Sequence, residues 1–122
     1  MSFVKYCLLS LAGLSVVTLS WSTNGRANEF ARNHPRRAQV LRRDRREIEK
    51  NNAAAASGKI TKKQAKQLNH EDRAIRRQEQ VEAAANGGHI TKAEQRQLNR
   101  EEGQVNRQRL QFERKDAAAG GK

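Results

Sequence analysis

The chain contains two copies of one segment, and this internal repeat constrains its fold more strongly than any other feature. Residues 58–78 (GKITKKQAKQLNHEDRAIRRQ) align with residues 88–108 (GHITKAEQRQLNREEGQVNRQ) at an offset of 30, and 10 of the 21 aligned positions are identical. A repeat with a period of about 20 to 50 residues is typical of supersecondary units that bury their apolar faces against one another. The sequence therefore predicts a domain built from one repeated structural unit.

Each copy opens with Gly-x-Ile-Thr-Lys, which is a pattern typical of a helix start. Thr61 and Thr91 are the predicted N-caps, and Gln64 and Glu94 complete capping boxes by accepting a hydrogen bond from the backbone N–H of the cap. The alanine runs before each copy, AAAASG and AAANGG, are predicted helix ends closed by glycine in the left-handed conformation. The sequence therefore predicts tight joints between consecutive helices.

Three helices are predicted, at about residues 34–57, 61–86 and 91–118, with Pro35 in the first turn of the first helix. Because short joints make neighbouring helices antiparallel, the predicted fold is all-α: a three-helix up-down-up antiparallel bundle of helix-turn-helix repeats of about 30 residues. Apolar side chains spaced seven residues apart give each helix one apolar seam. The predicted seam residues are Leu41, Ile48, Leu68, Ile75, Leu98, Val105 and Phe112.

The predicted core is thin and partly mobile. The companion heptad positions carry Asp44, Glu71 and Glu101 instead of apolar residues, and aromatic residues make up only 4% of the chain. Charged positions beside a seam reduce the apolar area that helix packing can bury. Separate frayed helices without fixed packing are the alternative interpretation.

The N-terminal residues 1–27 have the three parts of a cleavable signal peptide. Lys5 provides the positive charge, residues 6–19 form an apolar segment too short to span a bilayer comfortably, and Gly25 and Ala27 are small residues at a cleavage site. Cleavage is expected after Ala27, with cleavage after Ser22 as one alternative and an uncleaved membrane anchor as another.

After cleavage, residues 28–122 form the predicted helical repeat domain, without a stable membrane anchor. Its expected location is the periplasm or the exterior of the cell. The only cysteine, Cys7, lies in the signal segment, so no disulfide is expected to stabilise the domain.

The chain is strongly basic, with 25 Lys and Arg against 13 Asp and Glu and a formal net charge of +12. Arginines gather in two clusters that can attract phosphates, acidic proteins or other anions. Residues 28–122 contain no Tyr or Trp on which bases could stack, so specific nucleic-acid binding is not expected. The candidate anion- and client-binding residues are Arg36, Arg37, Arg42, Arg43, Arg45, Arg46, Arg73, Arg76 and Arg77.

No pattern in the chain indicates enzymatic activity, a cofactor or a metal site. The chain has no nucleophile–base arrangement and no glycine-rich phosphate loop, and Ser57 is the only serine after the signal segment. His34 and His89 are expected at the same end of an up-down-up bundle, but no third ligand has a suitable spacing. The protein is therefore predicted to be neither an enzyme nor a metalloprotein.

The second joint, NGGHITKAE, has the glycine, isoleucine and glutamate spacing that ends an EF-hand loop. The first ligand positions of such a loop would fall on Ala83, Ala85 and Gly87, which offer no side-chain oxygen. Calcium binding is therefore disfavoured, and a degenerate EF-hand-like calcium binder is the third hypothesis for the function.

Two resemblances rest on these motifs. The stretches NHPRRAQV (residues 33–40) and NGGHITKAEQRQLN (residues 86–99) resemble a family of small exported bacterial helical-repeat proteins, a resemblance that implies export but no particular activity. More distantly, ITKKQ (residues 60–64) and ITKAE (residues 90–94) are similar to the paired Leu-Thr-x-x-Gln motifs of the spheroplast-protein-Y-like periplasmic chaperones. That similarity implies an all-helical, ATP-independent holdase acting as a dimer.

The function expected from the sequence is that of an exported, non-enzymatic helical binding protein, specifically a holdase or stress protein. Its expected partners are partly unfolded or acidic proteins, and a homo-oligomer would bury seams that one chain leaves exposed. The alternative is an envelope polyanion-binding protein that uses the cluster from Arg36 to Arg46.

Overall fold

The computed structural model describes residues 23–120, which form four α-helices. They are α1 (Thr23–Asn33), α2 (Pro35–Ala56), α3 (Lys62–Ala85) and α4 (Lys92–Gly120). The predicted all-α class is confirmed, and α1 is a helix that the sequence analysis did not predict. The predicted signal peptide lies outside the described residues, apart from residues 23–27 at the start of α1.

A sharp junction at His34 separates α1 from α2. His34 has φ −132° and ψ 62°, outside the helical region, and Pro35 occupies the first turn of α2, where its missing N–H costs no hydrogen bond. The His34 N–H still donates to the Phe30 carbonyl (2.8 Å), and the His34 carbonyl accepts from Ala38 (2.9 Å). Among the described helices, α1 packs against α2 alone.

The two joints after α2 and α3 are closed by glycine, as their sequences predict. Gly58 has φ +74° and Gly87 has φ +63°, which is the left-handed region where a side chain would be strained. After α2 the Lys59 N–H donates to the Ala54 carbonyl at 2.9 Å, and after α3 the Gly88 N–H donates to the Ala83 carbonyl at 2.7 Å. These six-to-one bonds define Schellman motifs, which use carbonyls that the helix itself cannot satisfy.

Both capping boxes form at the starts of α3 and α4. The Gln64 N–H donates to Thr61 Oγ1 (3.2 Å) and the Thr61 N–H donates to Gln64 Oε1 (2.6 Å). The second copy has the same arrangement, with Thr91 and Glu94 joined by bonds of 2.7 and 3.1 Å. The repeated motif therefore serves a structural role in both copies.

The helices α2, α3 and α4 pack against one another around a shared core. Polar contacts pair rising residue numbers in α2 with falling numbers in α3, from Arg37 with Glu79 to Asn51 with Asp72. The buried apolar core consists of Val40, Ala54, Ile60, Ala65, Leu68, Ile75, Ala83, Ile90, Leu98 and Val105.

The predicted seam residues differ in their burial. On α3 and α4, Leu68, Ile75, Leu98 and Val105 are buried and Phe112 packs half-buried against them. On α2, Leu41 and Ile48 are only half-buried, because the buried face of this helix lies one residue away. The buried residues on that face are Val40, Asp44, Glu47, Asn51 and Ala54.

Within residues 23–120, no helix combines the length and apolar character needed to cross a membrane.

Candidate functional site

A layer of buried acidic side chains lies in the middle of the bundle, and Asp44 and Glu47 of α2 belong to it. Asp44, Asp72 and Glu102 come from α2, α3 and α4, and each is at most 1% exposed. Each follows a buried aliphatic residue by four positions, namely Val40, Leu68 and Leu98. Glu47, Glu79 and Asn51 are also buried. We call Asp44, Glu47, Asp72 and Glu102 the carboxylate layer.

The companion heptad positions differ in burial: Asp44 is buried, whereas Glu71 and Glu101 are not. Both are half-buried at the edge, and the next residue of each helix, Asp72 or Glu102, is buried instead. The third and fourth positions after a buried leucine both lie on its side of the helix, and the packing of α3 and α4 buries the fourth position more deeply than the third. The repeat contained the signal, because Asp72 and Glu102 align at its offset of 30.

Three of the nine predicted arginines compensate buried acids. The Arg37 Nε atom lies 2.5 Å from Glu79 Oε1, the Arg43 Nε atom lies 2.9 Å from Glu102 Oε2, and Arg76 is paired with Asp44. Arg37 also donates to the Gly88 carbonyl at 3.1 Å, so it joins α2 both to α3 and to the second joint. These three arginines are therefore part of the fold.

The other predicted arginines face solvent. Arg42, Arg45, Arg46, Arg73 and Arg77 are exposed, and none of them forms an ion pair with another residue of the described part of the chain. Arg36 is exposed as well, and donates to the Ile90 carbonyl at 3.5 Å. We call Arg42, Arg45, Arg46, Arg73 and Arg77 the outward arginines.

The carboxylate layer is short of hydrogen-bond donors. Asn51 Nδ2 donates to Asp72 Oδ2 at 2.9 Å, but Asp44 Oδ1, Glu47 Oε2, Asp72 Oδ1 and both oxygens of Glu102 accept no hydrogen bond within the described residues. The contact between Arg43 and Glu102 is thus an ion pair by distance without hydrogen-bond geometry. Several acceptors are buried together with few donors.

Burial and mutual repulsion change the acidity of this layer. Burial raises the pKa of Asp72 to about 7, and the charges of Asp44 and Glu47 add to the rise. Burial likewise raises the pKa of Glu102 to about 8, against the opposing attraction of Arg43. The pKa of Asp44 is also raised by burial, although Arg76 opposes that rise.

The two histidines expected at one end of the bundle do meet. The ring centroids of His34 and His89 are 4.6 Å apart, and those of Phe30 and His34 are 5.0 Å apart. The Arg37 guanidinium lies 5.4 Å from the centre of the Phe30 ring. Within residues 23–120, no group of three or more His, Cys, Asp or Glu side chains is arranged to hold a metal ion.

The glutamate of the EF-hand-like joint is occupied by the helix start. Glu94 accepts from the Thr91 N–H and from Asn86 Nδ2, the latter at 3.0 and 3.1 Å. The hydrogen bond from the Thr91 backbone is the main cause that lowers the pKa of Glu94. Its carboxylate is therefore used as a cap in this structure.

Apolar surface is scarce on the packed bundle. Among the described residues, Val81 is the one large hydrophobic residue that is exposed, at 70%. A groove of about 290 Å³ between α1 and α2 is lined by Phe30, Ala31 and Leu41 together with Arg42 and Arg45. The charged surface is therefore the dominant feature presented to a partner.

Comparison of the chain with protein-family models, curated proteins and solved structures finds no match. The two resemblances drawn from the sequence motifs stay predictions.

Proposed function

We propose that the protein is an exported, non-enzymatic helical binding protein that binds anionic envelope components through its outward arginines. The observation that carries this proposal is the division of the arginines into two sets. Arg37, Arg43 and Arg76 compensate buried carboxylates, whereas the outward arginines have no acidic partner among the described residues. Their charge is available to a ligand.

The proposed up-down-up arrangement brings the outward arginines of α2 and α3 together. Asp44 pairs with Arg76, and the residues that directly follow them in the chain are Arg45 and Arg77. An ion pair between two helices thus places two outward arginines at the same level of the bundle. A ligand with several negative groups can contact both helices at once.

Arginine suits phosphate and carboxylate groups, because its planar guanidinium can donate two parallel hydrogen bonds and stays charged at every physiological pH. The proposed export places the protein in the envelope, where lipid headgroups and polysaccharides carry phosphate and carboxylate groups. Electrostatic attraction alone supports binding of this kind, so a deep pocket is unnecessary.

The proposal is tested by binding of the full chain to vesicles that contain phosphatidylglycerol, in a buffer of low ionic strength. Each Lys or Arg near an anionic surface contributes about 1 kcal/mol, so the triple change Arg42→Gln, Arg45→Gln, Arg46→Gln is expected to weaken binding about 100-fold. The matched control is Lys62→Gln, Lys63→Gln, Lys66→Gln, which removes the same charge from exposed positions at the start of α3. Equal losses for both variants would contradict a localised site.

A second function, that of a holdase, is favoured by the polar core. Leu68, Ile75, Leu98 and Val105 are buried beside the carboxylate layer, and a core with uncompensated polar groups costs less to open than an apolar one. In this proposal an opened bundle exposes its seam to unfolded clients. Suppression of client aggregation at physiological salt supports it, and absence of suppression at equimolar chain contradicts it.

A further inference from the structure

We propose that the carboxylate layer is a proton-dependent clasp, which holds the bundle closed at mildly acidic pH and loosens it as the pH rises. This inference goes beyond the proposed anion binding, because it concerns the core and not the outward arginines. It rests on the placement of Asp44, Glu47, Asp72 and Glu102 on three helices with few donors between them.

Hydrogen-bond acceptors outnumber donors in the carboxylate layer. A carboxylate only accepts hydrogen bonds, whereas a protonated carboxyl also donates one. Asp44 Oδ1, Asp72 Oδ1 and both oxygens of Glu102 are buried without a donor. A proton on Glu102 or Asp72 supplies the missing donor to a neighbouring oxygen, and it also removes a negative charge from the core.

Glu102 and Asp72 each face several charged groups on the neighbouring helices. Glu102 on α4 faces Arg43, Asp44 and Glu47 of α2 and Asp72 of α3. Asp72 faces Asp44, Glu47 and Asn51 of α2, with Glu71 on its own helix. Within residues 23–120, Asp72 has no cation within ion-pair distance, so a proton is its most direct compensation.

Glu47 and Asp44 complete the layer. Glu47 pairs with Lys50 at 3.1 Å, and Asp44 pairs with Arg76 and is influenced by Arg45 and Glu79. Arg43 likewise lies 2.9 Å from Glu102, whereas Asp72 has no cation within ion-pair distance among the described residues. Asp72 and Glu102 are both 0% exposed. Both acids have a raised pKa in the folded chain, about 7 for Asp72 and about 8 for Glu102.

The direction of the effect follows from proton linkage. The unfolded chain releases these protons near the ordinary pKa values of 3.8 and 4.5, whereas the folded chain keeps them to about 7 and 8. The folded state therefore binds more protons between these limits, and its stability falls as the pH rises through them. Below about pH 4 the exposed acids also become neutral, and repulsion among the basic groups then opposes folding.

The test is urea unfolding of the full chain at pH 5 and at pH 8. Because a tenfold change in the unfolding equilibrium constant accompanies a difference of one between the folded and unfolded pKa, this constant is expected to be at least about 100-fold larger at pH 8 than at pH 5. In the double variant Asp72→Asn, Glu102→Gln the difference is expected to fall below about tenfold, because the amides do not titrate.

The matched control is Glu71→Gln, Glu101→Gln, which changes the preceding residue of each helix. It is expected to keep most of the pH dependence of the natural chain, because Glu71 is the smallest of the causes that raise the pKa of Asp72. The proposal is overturned if the natural chain is equally stable at both pH values, or if the two double variants have the same pH dependence.

A carboxyl NMR titration of the natural chain covers the case in which Asp72→Asn, Glu102→Gln fails to fold. Titration midpoints above about 6 for Asp72 and Glu102 are expected, well above the ordinary range of about 4. Midpoints near 4 for both residues would overturn the clasp. Neither experiment contains an anionic ligand. A failure of the clasp proposal can therefore be distinguished from a failure of the proposed anion binding.

Discussion

Asp72 and Glu102 occupy equivalent positions in the two copies of the repeat, and both are completely buried at 0% exposure. Their helices bring them to the same layer as Asp44 of α2, where their charges repel one another. The repeated unit thus contributes an acid to the core as consistently as it contributes a leucine. Arg37, Arg43 and Arg76 compensate part of the buried negative charge, and the outward arginines face solvent.

Replacement of Arg76 tests the compensation at the edge of the layer. Arg76→Met leaves the buried Asp44 without its cation and is expected to cost about 2 kcal/mol of unfolding free energy at pH 7. Because burial raises the pKa of Asp44, the cost is expected to be smaller at pH 4, where this acid is more often neutral. Urea unfolding at both pH values measures it.

Arg77→Met is the control for this comparison, since Arg77 is exposed and has no ion-pair partner within residues 23–120. Its expected cost is below about 0.5 kcal/mol. If both variants lose the same stability at pH 7, Arg76 does not have the role assigned to it.

Two glycines are expected to respond to alanine in opposite directions. Gly58→Ala puts a Cβ into open space but at φ +74°, so the backbone alone is expected to cost about 1 kcal/mol. Gly103 lies inside α4, where a new Cβ meets Arg107 and Arg43 at ordinary distances of 3.5 and 3.7 Å. Gly103→Ala is therefore expected to stabilise the bundle by about 0.5–1 kcal/mol. Thermal or urea unfolding of the two single variants shows whether each is less or more stable than the natural chain.

The two capping boxes are expected to differ in their pH dependence. The cap of α4 uses Glu94, whose pKa is lowered mainly by the hydrogen bond from the Thr91 backbone. Because the pKa of Glu94 is lower in the folded state, its ionised form stabilises the folded chain at pH values above the ordinary pKa of 4.5. This contribution is lost as the pH falls through the lowered pKa. The amide NMR signal of Thr91 is expected to titrate with a midpoint below 4.5.

The first capping box is an internal control, because Gln64 has no titrating group. The Thr61 amide signal is expected to stay unchanged over the same pH range. A Thr61 amide that moves together with Thr91 would indicate a general loosening of the bundle instead of protonation of the second cap.

The aliphatic part of the core is tested at Leu68, which is 0% exposed. Leu68→Ala is expected to cost about 3 kcal/mol, because it loses buried apolar contacts and leaves a cavity. Val81→Ala is the comparison, since Val81 is 70% exposed and its truncation is expected to change stability by less than about 0.5 kcal/mol. A small cost at Leu68 would favour the alternative of frayed helices without fixed packing.

Much of the helix layout could be predicted from local chemistry. The signals at Thr61, Thr91, Gly58 and Gly87 act within one or two turns of the chain, so their effect can be read from sequence alone. The helix α1 was missed because the signal-peptide interpretation covered residues 1–27, and the remaining residues before His34 carry no cap or apolar period of their own.

The candidate site was harder to predict, because it depends on which face of each helix turns inward. A shift of one residue separates Leu41 from the buried Val40, and the same shift separates Glu71 from Asp72. Arg37 and Arg42 look alike in sequence, yet the first reaches Glu79 across the bundle and the second faces solvent. Such differences arise from packing between distant segments, which local patterns do not determine.

The proposed function is tested most directly by binding of the natural full chain to phosphatidylglycerol vesicles and to phosphatidylcholine vesicles at low and at about 0.15 M salt. At the higher salt the screening length is about 8 Å, so charge attraction weakens strongly. We expect tight binding to the anionic vesicles at low salt, and much weaker binding both to those vesicles at about 0.15 M salt and to the neutral vesicles. Equal binding to both kinds of vesicle, or no binding to the anionic vesicles at low salt, would contradict the claim that the outward arginines bind anionic envelope components.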